Sequence, residues 1–372
     1  MRQHLIFIIG TRAQLIKVAP VVVACEKRGM QITLLMTGQH QETMQDLIEE
    51  FSIKSPQVEA LPATERLTIA SLLRWLPQAY KGLEKQLKKL ARDDVRQYVL
   101  VHGDTLSTLL GAFAGRRSGA RIVHLESGLT SGRLFDPFPE ELCRRLVFRM
   151  TDVAMCPSPH AAEYMSTHHK AHVVDTDGNT IVDAVSLAGV AEVLAHGATS
   201  YLVSSLHRFQ NIYNERRLKQ LVSLICRLAE YHPIYFVLHP ATRKRLEFGG
   251  LMTQLTNSKG VTLLPRMGYR DFLRLAAGAA CVLTDGGSNQ EELAALGVPT
   301  LIMRQRTERQ DGLGGNAVME GDISQGVAQF VLLGLFKELR RPPAIRHSNG
   351  PSERIASFID SEAFVSPGSM CQ

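Results

Sequence analysis

Tryptophan is nearly absent from this chain, with one in 372 residues, and aromatic residues together make up only 6%. Surfaces that bind single-stranded nucleic acid stack bases on aromatic rings set among basic side chains. No such interleaving occurs here. The formal net charge of +6 suits an anionic partner, but the basic residues are spread along the chain, with only small clusters such as RLKQ, RKR and ELRR. Nucleic-acid binding is not expected.

Long apolar runs are also lacking. No stretch approaches the roughly 20 residues that a membrane helix needs. MRQHLIFIIG is too short, and too soon followed by Arg12 and Lys17, to read as a signal peptide. A cytoplasmic chain without membrane association is expected. The six cysteines (Cys25, Cys143, Cys156, Cys226, Cys281 and Cys371) form no CxxC pair and have no histidines at metal spacing, which argues against a zinc site or a disulfide frame. Five read as core residues and Cys371 as a tail thiol. His168, His169 and His172 lie close together but have no acid at ligand spacing, so they read as surface residues and no metal is expected. No GxxxxGK[ST] loop occurs, and IIGTRAQLIK lacks the second and third glycines of a dinucleotide fingerprint. ATP hydrolysis and nicotinamide redox chemistry are therefore disfavoured, and no cofactor is expected.

What the chain does have is alternation. HLIFIIG, ITLLMTG, YVLVHGD, RIVHLES and DVAMCPS are short, rich in β-formers and apolar on both faces, as strands of a buried parallel sheet read. Amphipathic helical stretches lie between them, including LIKVAPVVVACEKRG and a longer one containing Pro77. VVDTDGNTIVDAVSLAGVAEVLAHGATS reads as a short strand, a turn, a helix and a loop, after which the rhythm restarts with YLVSSL, PIYFVLH, VTLLP, CVLTDGG and PTLIM. The fold class expected is α/β, with two Rossmann-like, doubly wound parallel-sheet domains facing a central cleft. The expected division is residues 1–178, residues 179–350, and residues 351–372 as a C-terminal helix capped by Ser352 with a weakly ordered tail.

Strand ends carry polar groups: Thr11 and Arg12, Gln39 and His40, Asp104, and Glu126. Parallel strands bring their carboxyl ends to one edge, so these residues share it. Helix capping is the plainer explanation for Asp104, and helix N-terminal placement after Pro139 the plainer one for Glu141. In the second half His207 and Arg208 follow a strand, as a phosphate contact would require. LTDGGSNQEELAALG joins a strand to a helix through a glycine pair and a serine, which lets anionic oxygens reach backbone N–H groups at a helix N-terminus. Glutamates in that turn would repel phosphate, and a ribose diol is the natural donor to them. The ligand expected is a nucleotide.

Taken together, GTRAQLIKVAP, TGQHQE, HGDTLST, HLESGL, PFPEE, GNTIVDA, HR, LHP, TDGGSNQEE, LGVP and MRQRTER resemble the UDP-N-acetylglucosamine 2-epimerases, bacterial enzymes of glycosyltransferase-B-like (GT-B) fold, in order and spacing over residues 5–320. The resemblance implies catalytic roles for Asp104, Glu126, Glu140 and His207. It implies UDP-sugar binding by Arg12, Lys17, Gln39, Phe272, Gly287, Ser288, Glu292 and Arg309. A regulatory site for a second UDP-sugar, acting as allosteric activator, would use Arg66, Arg208 and His239, with Gln39 nearby. A homodimer is implied as well. This chain departs from the family where GTRPE reads GTRAQ, EAGLRT reads ESGLTS with Thr130 for an arginine, HRREN reads HRFQN with Phe209 for an arginine, and DSGGIQEE reads DGGSNQEE. The reaction implied is epimerisation at C2 of a UDP-activated N-acetylamino sugar, by elimination of UDP through a 2-acetamidoglycal and its re-addition. The alternatives are a hydrolysing 2-epimerase, a glycosyltransferase of the same fold, and a non-catalytic nucleotide-sugar sensor.

Overall fold

The computed structural model describes residues 2–39, 44–62, 69–133, 138–307, 309–345, 348–361 and 364. The chain divides into two compact units, Met1–Ala184 with Arg346–Gln372, and Val185–Ile345.

Unit 1 is built on seven strands: β1 (Arg2–Ile9), β2 (Gln31–Met36), β3 (Gln57–Glu59), β4 (Val95–His102), β5 (Arg121–Leu125), β6 (Val153–Cys156) and β7 (His172–Asp175). Its helices are α1 (Arg12–Lys27), α2 (Gln45–Glu50), α3 (Ile69–Leu90), α4 (Leu106–Arg117), α5 (Glu140–Met150) and α6 (Pro159–His168). α7 (Ile181–Leu187) carries the chain across the division between units. The strands lie in the order β3-β2-β1-β4-β5-β6-β7, with every pairing parallel. Strand succession reverses between β1 and β4, and this is where an open α/β sheet leaves a crevice at its carboxyl edge. Leu5–Ile9 of β1 and Tyr98–His102 of β4 are buried without a break, because helices cover both sheet faces.

Unit 2 repeats the plan with β8 (Leu202–Ser205), β9 (Ile234–Val237), β10 (Val261–Leu264), β11 (Cys281–Thr284), β12 (Thr300–Ile302) and β13 (Ala317–Met319), in the order β10-β9-β8-β11-β12-β13. Its helices are α8 (Ala191–Ala195), α9 (Phe209–Ile212), α10 (Glu215–Ala229), α11 (Pro240–Phe248), α12 (Met252–Thr256), α13 (Tyr269–Gly278), α14 (Gly287–Leu296) and α15 (Val327–Leu332). α10 shows the helical period plainly. Leu218, Leu221, Val222, Ile225 and Leu228 are buried in the core while the intervening charged residues face out. Each such side chain contributes about 1.5–3 kcal/mol on burial.

The final helix, α16 (Pro351–Asp360), packs on α1 of unit 1. Ile355, Ala356 and Ile359 are buried, Arg28 Nη1 meets Glu353 Oε2 at 2.8 Å, and the Tyr98 ring stacks on Phe364 with centroids 4.2 Å apart. Ser352 is not its cap. Gly350 occupies that position, and the Ser352 N–H in the first turn donates to Asp183 Oδ2 at 2.7 Å. A Cβ at Gly350 would fall 2.0 Å from Asp183 Oδ1, so only glycine fits against that carboxylate.

Four cysteines are buried (Cys25, Cys143, Cys156 and Cys281) and Cys226 is half-buried; Cys371 lies outside the described residues. Burial pushes the Cys25, Cys156 and Cys281 thiols up to about 12 and Cys143 to about 11, so these are packing groups rather than nucleophiles. His168 is exposed as expected, whereas His169 and His172 are half-buried against Phe148 and Phe358 respectively. Among the described residues no group of acids, histidines and cysteines could hold a metal ion, and no helix is long and apolar enough to cross a membrane.

Candidate active site

In unit 1 the switch point is closed from below by a side-chain amide. Thr11 caps α1, and Gln14 one turn later is 3% exposed. Gln14 Oε1 accepts the Gly10 N–H at 2.9 Å, while Nε2 reaches His102 O at 2.8 Å and the hydroxyls of Thr105 and Thr108 at 2.9 Å each. An amide can accept and donate at once, and a carboxylate in its place could only accept. GTRAQ therefore ties the β1 loop to the β4 loop. Gly10 is obligatory in this packing, since a Cβ would lie 2.1 Å from Ser107 Oγ.

Asp104 does not cap α4. Thr105 does, accepting from Thr108 N, and the Asp104 carboxylate is left to pair with Arg144 Nη2. Arg144 also meets Glu141 Oε2 at 2.9 Å. Glu141 is fully buried and takes further hydrogen bonds from Thr130 Oγ1 at 2.6 Å, Arg145 Nε at 2.8 Å and Ser131 N at 3.2 Å. Burial pushes its carboxyl up, but these bonds and Arg144 outweigh burial and leave it below the ordinary value. Glu141 thus anchors α5 and the Thr130 turn. Glu140, in the same helical turn, is half-buried and has no hydrogen bond or ion pair among the described residues.

Glu126, at the end of β5, has φ +59°, a left-handed conformation that a side chain of this size seldom takes. Lys17 and Asn179 hold it, and His102 lies close by. Lys17 Nζ, itself on a residue 5% exposed, donates to Oε1 at 2.7 Å; Asn179 Nδ2 donates to the same oxygen at 2.5 Å; and His102 Nε2 lies 3.5 Å from Oε2. A buried lysine is tolerated only with such a partner. Behind them His124 is fully buried, and its Nε2 donates to Gly103 O at 2.8 Å. Burial pulls this imidazole down to about 4, against the raising effect of the carbonyl bond and of Glu126 and Asp104.

The two other unit 1 residues expected to bind substrate are engaged locally. Arg12 forks onto Asp46 of α2, at 2.5 and 2.6 Å, and Gln39 Oε1 accepts from Ser107 Oγ at 2.5 Å. Arg66 lies outside the described residues, as does His40.

Unit 2 places its charge differently. Asp285, at the end of β11, is fully buried, and its carboxylate gathers donors from the loop after β8: His207 N at 2.9 Å, Arg208 N at 3.0 Å and Asn211 Nδ2 at 2.8 Å. This fixes the HRFQN turn beside the start of α14. Gly286 is the N-cap of α14, and no side chain caps that first turn, which begins with Gly287, Ser288 and Asn289. A Cβ at Gly286 would come within 3.0 Å of His207 Cε1, so the imidazole stands directly against the glycine loop. The His207 and His239 rings lie 5.4 Å apart. Glu292 is 3% exposed one turn into α14, while Arg309 pairs with Glu291, its neighbour. Phe272 is half-buried in the first turns of α13.

The structure thus joins Lys17 to Glu126 in unit 1, and His207, Gly287 and Ser288 around one loop in unit 2. Gln39 belongs to unit 1, and Arg208 and His239 belong to unit 2. Sequence reading missed Gln14, Arg144, Asn179, Asp285 and Asn211. Asp285 carried the same signal as Asp104 and Glu126, a carboxylate at a strand end, and could have been found by it.

The sequence model of the family described as UDP-N-acetylglucosamine 2-epimerase matches residues 23–328. A UDP-N-acetylglucosamine 2-epimerase from Methanocaldococcus jannaschii is 31% identical over 95% of this chain and 97% of its own. The crystal structure of that organism's epimerase in complex with UDP-N-acetylglucosamine and UDP superposes with TM-score 0.73 at 27% identity, covering 97% of this chain and 99% of that one. The Staphylococcus aureus MnaA–UDP structure superposes with TM-score 0.75 at 26% identity, covering 97% and 96%. The two parallel-sheet units are GT-B-like, and the chain belongs to the UDP-N-acetylglucosamine 2-epimerase family, a family of isomerases.

Proposed function

We propose that this protein converts UDP-N-acetylglucosamine to UDP-N-acetylmannosamine without hydrolysis, unit 1 supplying proton-transfer groups and unit 2 holding uridine diphosphate. The observation that carries the reading is the contrast among three carboxylates at the carboxyl edge of unit 1: Asp104 on Arg144, Glu126 on Lys17 and Asn179, and Glu140 with no hydrogen bond or ion pair among the described residues.

The C2 proton is weakly acidic, so direct inversion is slow. In the proposed route a carboxylate takes the C2 proton as the C1–O bond to UDP breaks, giving a 2-acetamidoglycal and free UDP. UDP then re-adds at C1 while a proton is delivered to C2 from the other face. Glu126, surrounded by donors, fits the group that accepts the proton. Glu140 fits the donor on the opposite face, and Asp104 fits stabilisation of the cation-like sugar. Gly287, Ser288 and His207 would hold the departing diphosphate at the α14 N-terminus, Glu292 the ribose and Phe272 the uracil. Arg12, Lys17, Gln39 and Arg309 belong to the same proposal. Homodimerisation, and activation by a second UDP-sugar at Arg208 and His239, extend it and are read by light scattering and by sigmoidal rate curves.

The test is proton NMR of the protein with UDP-N-acetylglucosamine in D₂O. Deuterium entering C2 as UDP-N-acetylmannosamine accumulates is the expected result. Free UDP with N-acetylmannosamine would replace it with the hydrolysing reaction, and binding without exchange would leave transfer or sensing. Asp104→Asn should lose more than about 10²-fold in kcat with UDP binding intact; near-normal turnover would sink its assignment.

A further inference from the structure

Unit 2 contains a cationic concavity. A depression of about 620 Å³ opens beside α10, and its lining includes Arg208, Arg216, Arg217, Arg304 and Arg306 against a single described acid, Glu320. Two of these arginines are built into the wall. Arg217 forks onto Glu320 at 2.5 and 2.6 Å and reaches Asn211 Oδ1 at 3.1 Å. Arg304 is 7% exposed and is held by Gln290 Oε1 at 3.1 Å and by the Thr307 hydroxyl. Arg216 and Arg306 are exposed at the surface of the depression. Glu320 pairs with Arg217, and gathering five guanidinium groups in one concavity raises the local potential for anions.

This is not the glycine loop at α14. None of Phe272, Gly287, Ser288 or Glu292 lines the depression, nor does His239; Arg208 and Asn211 are shared with the turn that Asp285 holds. The depression adjoins α14 through Gln290, which holds Arg304 in its wall, while its lining comes from the α9 region, α10 and the segment after β12.

We infer that the depression binds a ligand carrying two or more phosphate groups. The planar guanidinium fork matches phosphate oxygens two at a time, and arginine cannot shed its charge to relieve the crowding. The volume exceeds what one phosphate needs and suits a polyphosphate or a nucleoside polyphosphate.

Calorimetric titration with tripolyphosphate, of the wild type and of Arg216→Glu/Arg306→Glu, tests the site, with UDP titrated into both as the control for fold and for the glycine loop. Tripolyphosphate affinity should fall at least tenfold in the double variant while UDP affinity stays within about twofold. Unchanged tripolyphosphate affinity would overturn the site, and an equal loss of UDP would overturn its separateness. A second titration with ATP separates the sources: tighter binding than tripolyphosphate assigns a nucleotide, and equal binding assigns bare polyphosphate. These readouts are binding alone, so they stand or fall apart from the epimerase reaction.

Discussion

The carboxyl edges of the two sheets have the same topology and use carboxylates in opposite ways. At the edge of unit 1, Asp104 and Glu126 are partly accessible and held by side chains: Arg144, Lys17 and Asn179. At the edge of unit 2, Asp285 is fully buried and held mostly by backbone N–H groups. A carboxylate that must handle protons needs partners that leave one face open. A carboxylate that must shape a loop needs its lone pairs filled, and Asp285 spends its own on the turn that sets His207 against Gly286. Equivalent positions in a repeated fold therefore divide into a reactive edge and a holding edge according to who supplies the donors.

That comparison breaks first at Asp285. Asp285→Ala leaves two backbone N–H groups and one N–H of the Asn211 amide, whose nitrogen also donates to Met303 O, without their acceptor, at about 1–3 kcal/mol each, so a loss of about 5 kcal/mol in urea unfolding is expected, with UDP binding lost as well. A variant as stable as wild type would show that the loop stands without its carboxylate.

Next is Glu126. Glu126→Gln removes the negative charge beside the buried Lys17 ammonium and should cost about 3–4 kcal/mol. Adding Lys17→Met should recover most of that stability but none of the turnover, which separates the structural part of the pair from the chemical part in a double-mutant cycle. Full recovery of activity in the double variant would reduce the pair to a packing device.

The smallest effect is a pH dependence at His124. Its pKa when folded is about 4, below the 6.5 of the unfolded chain, so the unfolded state binds the extra proton between these values. Stability is therefore present above about pH 6.5 and is lost as pH falls toward 4, by about 3 kcal/mol in the limit. His124→Gln should remove that part of the acid sensitivity, read from unfolding midpoints at pH 7 and pH 4.5. An unchanged pH slope would show that another group drives it.

Much of the architecture was legible in the sequence because buried parallel strands advertise themselves as unbroken apolar runs closed by polar residues. HLIFII, YVLVH and CVLT each became a central strand. The two strands not foreseen, β3 and β13, are three residues long at sheet edges, too short for any periodicity. Helix ends were less legible. Asp104 and Ser352 both carry capping chemistry, yet Thr105 and Gly350 take the caps, because Asp104 finds Arg144 and Gly350 fits where any Cβ would meet Asp183.

By itself the sequence determined the alternation of strand and helix, the doubling of that pattern, and the identity of the polar residues at the strand ends, since each of these depends on local periodicity or on a single position. Only the tertiary structure decided which of those residues face a partner. Lys17 and Glu126 are 109 positions apart, Asp104 and Arg144 are 40 apart, and His207 and Asp285 are 78 apart. A charge takes its role from the donors within about 3 Å of it, and a folded sheet edge brings those donors from elements that the linear chain keeps far apart.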